Sequence, residues 1–324
     1  MSGIVVIGAG VVGLVTATTL AERGAKVTLV ERSRDLGGNA SWLAGGMLAP
    51  FCEGESAPRS VVELGQGAID WWEARVPGVV RAGTLVVAAP RDIAEIDRFA
   101  QRTRGHERAN EARIAALEPD LASRFRNGLF LAAEGHLDPR AAMRALADSL
   151  RRHGAGLRFG EDGDGLGPEA GLIVDCRGFA ARGELQQLRG VRGEMIRVRT
   201  REVSFTRSVR LLHPRIPLYV VPRGNGEFMI GATMIESAEK GAVSVRSAIE
   251  LMSAAYALHP AFGEAEVIEM SADVRPAYPD NEPRIEEREG RIFVNGFYRH
   301  GFLLAPAFAE RAATLAFERA GALV

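Results

Sequence analysis

The sequence predicts an α/β chain in two parts: a cofactor-type domain on a parallel sheet, and an α+β domain on a largely antiparallel sheet. Three observations predict it. The first thirty-odd residues read strand, glycine turn, helix, strand, acid. From Gly83 onward, strands and helices alternate less regularly. From Val191 the pattern is strand-rich, and the chain closes on an apolar strand, a glycine-bracketed turn and a last helix.

The opening unit carries the most information. An apolar strand over 3–7 meets Gly8-Ala9-Gly10-Val11-Val12-Gly13, a helix follows over 14–23, Gly24 stops it, and a strand over 25–30 ends on Glu31. Gly8 allows the tight turn, Gly10 lets the backbone approach a pyrophosphate, and Gly13 lets helix and strand pack closely. The free N–H groups of the new helix face the phosphates, and Glu31 can accept from both ribose hydroxyls. This is a Rossmann-like unit for an ADP moiety. By itself it does not separate NAD from FAD.

Composition sets the outer bounds. A chain of 324 residues, 47% apolar, can fill sizeable cores in about two domains. The net charge of −1 offers no electrostatic footprint for nucleic acid or an anionic membrane. Cys52 and Cys176 have no disulfide or zinc spacing, and the six histidines lack metal spacing, so no metal is expected and a reducing cytoplasm fits. The apolar start lacks a basic leader and a cleavage site, and no apolar run is long enough for a membrane span. A homo-oligomer is compatible with this composition.

After the opening unit, residues 36–50 form a loop whose four glycines, interleaved with apolar residues, suit backbone held against a flat or charged ligand. Met47 within it would ordinarily be core. Residues 61–75 read as an amphipathic helix with Trp71 and Trp72 as packing residues. A strand over 84–89 and a charged helix over 92–103 follow. Asp138 caps a helix that has Pro139 at its first position and runs to Arg152. The stretch 161–165, with Gly167-Pro168, reads as a surface turn; it lacks the ligand ladder of a calcium loop.

A strand over 172–175 then runs into Cys176-Arg177-Gly178 at the cofactor edge of a sheet, with Cys176 as a small core filler. Strands are expected over 193–198, 203–212, 217–222 and 227–233, a helix over 245–258, a strand over 291–295 and a last helix after the 296–306 turn. These changes of pattern divide the chain into a discontinuous cofactor domain (1–82, 136–184 and 270–324) and a substrate domain (83–135 and 185–269).

No cysteine–histidine pair and no GxSxG elbow offers a nucleophile. Arg275 and Arg299 instead fall in turns bounded by proline or glycine, where a guanidinium fork could receive a carboxylate or serve structure alone.

Taken together, several stretches resemble the D-amino-acid oxidase family of FAD-dependent oxidoreductases over nearly the whole chain, in that family's order. They are Gly8-x-Gly10-x-x-Gly13 with Glu31, Ala44-Gly45-Gly46-Met47-Leu48-Ala49-Pro50, Tyr219-Val220-Val221-Pro222-Arg223, Gly231-Ala232-Thr233-Met234, Val274-Arg275-Pro276 and Phe297-Tyr298-Arg299-His300-Gly301-Phe302-Leu303-Leu304-Ala305-Pro306. Within the family, the glycine-oxidase branch of thiamine biosynthesis is the nearest in pattern. The resemblance implies a noncovalent FAD, no cysteine following Cys176 to attach it. It would be contacted by Gly8, Gly10, Val11, Val12, Gly13, Glu31, Arg32, Ala40, Ser41, Gly45, Gly46, Met47 and Gly178. Phe297, Tyr298, Arg299, His300, Gly301, Phe302 and Leu303 would complete its surroundings.

On the same resemblance Arg299 would hold a substrate carboxylate with Arg275 and Tyr219 beside it, while Met47 and Met234 would line a small pocket. The implied reaction is oxidative deamination of glycine or another small amino acid, with oxygen as the final acceptor and hydrogen peroxide as a product, supplying an imine for the thiazole of thiamine. A dehydrogenase using another acceptor and a noncatalytic flavin-binding module are the alternatives. Three stretches depart from the family pattern: in the 296–301 turn Phe297 replaces a histidine and His300 an amide, Arg177 adds a bulky charge near the cofactor, and Pro283-Arg284-Ile285-Glu286 lacks the usual glycine.

Overall fold

The structure, a computed structural model, describes residues 3–163, 165–166, 171–213 and 218–322. The expected turn at Gly167-Pro168 lies outside the described residues, as does Pro217. In chain order the strands are β1 (Ile4–Ile7), β2 (Val27–Glu31), β3 (Met47–Leu48), β4 (Thr84–Ala88), β5 (Glu107–Asn110), β6 (Asn127–Leu131), β7 (Gly135–His136), β8 (Gly156–Phe159) and β9 (Leu172–Asp175). They continue with β10 (Arg189–Arg199), β11 (Ser208–Leu212), β12 (Leu218–Gly224), β13 (Glu227–Gly231), β14 (Ile235–Glu236), β15 (Glu266–Ala277), β16 (Arg284–Arg288) and β17 (Arg291–Asn295). The helices are α1 (Val11–Glu22), α2 (Pro50–Glu53), α3 (Arg59–Gly65), α4 (Ala68–Glu73), α5 (Ala94–Arg102), α6 (Glu111–Leu117), α7 (Pro139–Arg152), α8 (Val245–Leu258) and α9 (Gly301–Ala322).

The first sheet has the order β16-β17-β9-β1-β2-β8. All its pairings are parallel except that of β16 with β17. The sequence Ile-Val-Val-Ile of β1 is buried at every position, as a parallel sheet covered on both faces requires. One core joins this sheet to α1, α4, α7 and α9. Within it Trp72 stacks on Phe302 at 5.4 Å and donates from Nε1 to the Phe302 carbonyl at 2.8 Å, as a packing residue. A Cβ at Gly13 would run into the Gly8 carbonyl oxygen. Glycine there lets α1 begin at Val11, three residues before the expected start, where Ser41 Oγ accepts from the Val11 N–H at 3.0 Å.

The second sheet has nine strands in the order β14-β10-β13-β12-β11-β4-β6-β5, with β15 on the other side of β10. Among its pairings only β4 with β11 is parallel. Helix α8 packs its Leu251, Ala255 and Leu258 onto this sheet beside Ile196, Val198, Phe228 and Ile230. Asp138 caps α7 by accepting from the Arg140 and Ala141 N–H groups at 2.7 and 3.3 Å, with Pro139 at the first helical position. The start of α7 and the whole of α8 were legible in their local patterns, whereas no strand was expected where β5, β6 and β15 lie.

Three elements differ from the expected ones. The single helix over 61–75 is two, α3 and α4, parted at Gln66 and Gly67, where glycine weakens a helix interior. The strand expected from 203 starts only at Ser208. The buried Glu118 carboxylate accepts the Thr206 and Arg207 N–H groups at 3.0 and 3.1 Å, taking them away from any ladder. Arg275 lies on β15, not in a turn. Pro276 is tolerated there because β10 is the one strand that β15 pairs with, its other side meeting only a bridge from Ala277 to Phe297 and the Tyr298 N–H, which donates to the Pro276 carbonyl at 2.8 Å. This strand also runs through position 270 and stays in the second sheet to Ala277.

Candidate active site

The two sheets meet at one continuous cavity of about 290 Å³. Its walls include every residue singled out above as a site candidate except Gly13, which sits behind the turn as the close-packing glycine.

One arm is built by the opening unit. Gly8 adopts φ +99°, and the turn delivers the first turn of α1, whose N–H groups have no intrahelical acceptor. At the end of β2 the Glu31 carboxylate is held by two backbone donors, Ala9 N–H at 2.7 Å and Ser33 N–H at 2.8 Å. Arg32 is exposed at its rim, and Ala40, Ser41, Gly45 and Gly46 form the adjoining wall. Gly178 closes the β9 end, its carbonyl accepting from Asn295 Nδ2 at 2.9 Å. The charge of Arg177 is matched there by Asp175, 2.8 Å from its Nε, and by Glu184 at 2.6 Å. Cys176 borders the cavity as a packed core thiol, which burial pushes well above the usual thiol range.

This donor set suits FAD: a glycine cradle at a helix N-terminus for the phosphates, an oriented carboxylate for a ribose, and a long groove between two sheets for a flat ring. Phe297, Phe302 and Leu303 border the groove while packing into the core behind it.

The other arm lies under the 296–301 turn. Tyr298 takes φ +49° at its apex, and Arg299 reaches from it into the cavity. Arg299 Nε donates to Glu53 Oε2 at 2.7 Å, and one terminal nitrogen donates to Ser56 Oγ at 2.7 Å. The other donates to Met234 Sδ at 3.4 Å. Arg275 enters from β15, donating to the Thr233 carbonyl at 3.0 Å. A Cβ at Gly193 on β10 would overlap its guanidinium, so the glycine makes the space in which that fork lies. Tyr219 on β12 packs its ring against Gly45, and burial raises its phenol although Arg275 opposes this. Met47 on β3 and the half-exposed Met234 supply apolar wall.

Glu53, Arg210 and Ser56 are site residues that sequence reasoning missed. Burial raises the Glu53 carboxyl, but Arg299 and Arg210 outweigh it and hold it down to about 2. Arg210 stands 4.0 Å from Glu53 and 3.1 Å from Glu55. The signal for Arg210 was present: an arginine inside the wholly buried strand Ser-Val-Arg-Leu-Leu requires a carboxylate partner. Nothing local marks Glu53. His300 Nδ1 lies 3.4 Å from Glu53, and burial lowers the imidazole to about 4 despite that neighbour, leaving it neutral at pH 7. At the rim, Lys240 pairs with Asp273 at 2.7 Å.

A glycine-turn cofactor cradle and a pocket entered by two arginines thus share one cavity. The profile of the FAD dependent oxidoreductase family DAO matches residues 3–315, and the chain belongs to this family. It is 56% identical over 311 residues to a putative thiamine biosynthesis oxidoreductase ThiO of Rhizobium etli, covering 96% of this chain and 95% of that protein. It is 28% identical over 346 residues to a glycine oxidase of Pseudomonas aeruginosa, covering 96% and 94%. Among solved structures, glycine oxidase from Geobacillus kaustophilus superposes with a TM-score of 0.82 at 22% identity over 97% of this chain and 94% of that one, a likeness of fold. No helix among the described residues is long and apolar enough to cross a membrane.

Proposed function

We propose that this chain oxidises glycine or another small primary amino acid to the imino acid, with FAD bound noncovalently and oxygen as the final acceptor, yielding hydrogen peroxide and an imine for thiazole synthesis. The observation that carries the reading is the placement of Arg299 and Arg275 on the same cavity as the glycine cradle and Glu31. The likeness to a ThiO and a glycine oxidase supports the substrate class. Bound FAD supplies a two-electron acceptor.

The chain's own part is positioning. Arg299 binds the substrate carboxylate, with Arg275 and Tyr219 completing the polar end. Met47 and Met234 limit the room for a side chain, which favours glycine. Ionised Glu53 holds the Arg299 guanidinium with His300 beside it, and values held down to about 2 and about 4 make both only weak bases near pH 8. The substrate must therefore arrive, or become, the free amine. Two free, buried cysteines suit a cytoplasmic setting. The FAD-binding unit is assigned to 1–82, 136–184 and the chain after β15, the substrate unit to the remainder.

The test is anaerobic mixing of the yellow protein with a panel of small amines, followed by admission of oxygen. Bleaching by glycine and stoichiometric peroxide on reoxidation are expected. Bleaching without peroxide would make it a dehydrogenase, and no bleaching by any amine would overturn the reading.

A further inference from the structure

Arg223, near the end of β12, donates only to backbone oxygens. One terminal nitrogen donates to the Leu137 carbonyl at 3.0 Å, the other to the carbonyls of Ala44 and Gly45 at 3.2 and 2.7 Å. Among the described residues no carboxylate stands within ion-pair distance of it, whereas its neighbours Arg140 and Arg197 are paired with Glu269 and Glu227. Burial lowers the guanidinium to about 10, so it still carries its charge at pH 8. The fork therefore serves the 44–46 stretch, which it ties to the second sheet and to the start of α7.

That stretch is held by groups outside the cavity at two further points. The Leu137 N–H donates to the Gly46 carbonyl at 3.0 Å, and Arg140 Nε to the Trp42 carbonyl at 3.2 Å. In a trans peptide plane the N–H points opposite to the carbonyl. With the Ala44 and Gly45 carbonyls turned to Arg223, the Gly45 and Gly46 N–H groups are turned away from it, toward the cavity that both glycines line and Arg223 does not. Neither N–H has an acceptor among the described residues, so a ligand has to supply one. The Tyr219 ring, packed on Gly45, sets this pair at the substrate end of the cavity, away from the Gly8–Gly13 turn that faces the phosphates.

We infer that Arg223 is a positioning residue for the flavin: by fixing the two peptide planes on either side of Gly45 it presents two N–H donors to the ring, and so favours reduced over oxidised FAD. Reduction adds electron density to the ring's nitrogens and carbonyl oxygens, and donors fixed in advance stabilise that charge without reorganising. The inference rests on FAD binding and not on which amine the protein oxidises.

The midpoint potential of the FAD-loaded protein, from dye-equilibrated reduction without any amine, tests this. Arg223→Met, which supplies no donor, should weaken reduced FAD tenfold relative to oxidised FAD, a fall of about 30 mV for a two-electron couple. Arg223→Lys keeps the charge but lacks the fork, so its potential should lie between those of Arg223→Met and the parent. A parent-like potential in Arg223→Met would overturn the inference. So would a parent-like potential in Arg223→Lys, because charge alone would then account for the effect. If Arg223→Met does not fold or hold FAD, the lysine variant decides by the same criterion. A failure of glycine to bleach the flavin leaves these potentials unchanged, so the two readings fail separately.

Discussion

Glu53 accepts a 2.7 Å hydrogen bond from Nε of Arg299, across 246 positions of chain. The guanidinium proposed to receive a ligand carboxylate is thus already oriented by a carboxylate of the protein, with Arg210 behind it at 4.0 Å. A bound ligand has to share Arg299 with Glu53. This arrangement costs affinity and gains geometry, because a fork held at its Nε cannot swing away from the cavity.

Arg299→Ala should lower kcat/KM for glycine by roughly thirtyfold to several thousandfold, the equivalent of about 2 to 5 kcal/mol for one partner of a buried charge pair. Arg299→Lys should recover only part, since a point charge lacks the two-pronged geometry. FAD content is measured alongside, because the same turn borders the cofactor groove. A variant that retains FAD and near-parent kcat/KM would move the carboxylate role to Arg275.

Glu53→Gln should flatten the acid limb of the stability curve. The folded value of about 2 lies below the ordinary 4.5, so the unfolded chain binds the proton more readily. The resulting stabilisation is present above about pH 4.5 and lost as pH falls toward about 2, on the order of 3 kcal/mol in all. Urea unfolding between about pH 5 and about pH 3 should show a steeper decline for the parent than for the variant. Equal slopes would mean that Glu53 is not held as a carboxylate.

His300 acts in a different window. Its folded value of about 4 lies below the ordinary 6.5, so a neutral buried imidazole stabilises the fold above about pH 6.5 and that stabilisation is lost as pH falls through the interval to about 4. His300→Asn, which retains a polar group beside Glu53 but cannot take up the proton, should lose about 2 kcal/mol less than the parent between about pH 7 and about pH 5. Thermal melts across that range check it.

The kcat/KM for glycine should rise as pH climbs through the slightly alkaline range. His300 and Glu53 titrate near 4 and 2, and Tyr219 is raised above its usual range, so none of the three changes state between about pH 6 and about pH 9. Burial pushes Glu134 and Asp175 up to about 7, so a rise that continues above about pH 8 is the part that reads deprotonation of the substrate ammonium. A flat profile would show that the ammonium form binds and that another group removes its proton.

Acid precipitation should release FAD into the supernatant and leave a colourless pellet. Cys52 and Cys176 are both buried, and burial raises each thiol far from the thiolate that attachment requires. Colour retained by the pellet, or NAD recovered alone, would contradict the noncovalent FAD.

The sequence by itself determined the parts of this protein whose causes are local. The glycine turn before α1, the Asp138–Pro139 start of α7, the whole of α8 and the whole of β17 follow from backbone sterics, capping and apolar period, each read within one or two turns of chain. Only the tertiary structure decided where charges meet. Arg275 looked like a turn residue because Pro276 follows it, yet an edge strand accommodates that proline. Glu53 ends a single-turn helix that no periodicity announces, and it becomes part of the site because α2, β11 and the 296–301 turn converge on it. Such convergence depends on sheet order and register, which are long-range hydrogen-bonding choices that neighbouring residues along the chain do not encode.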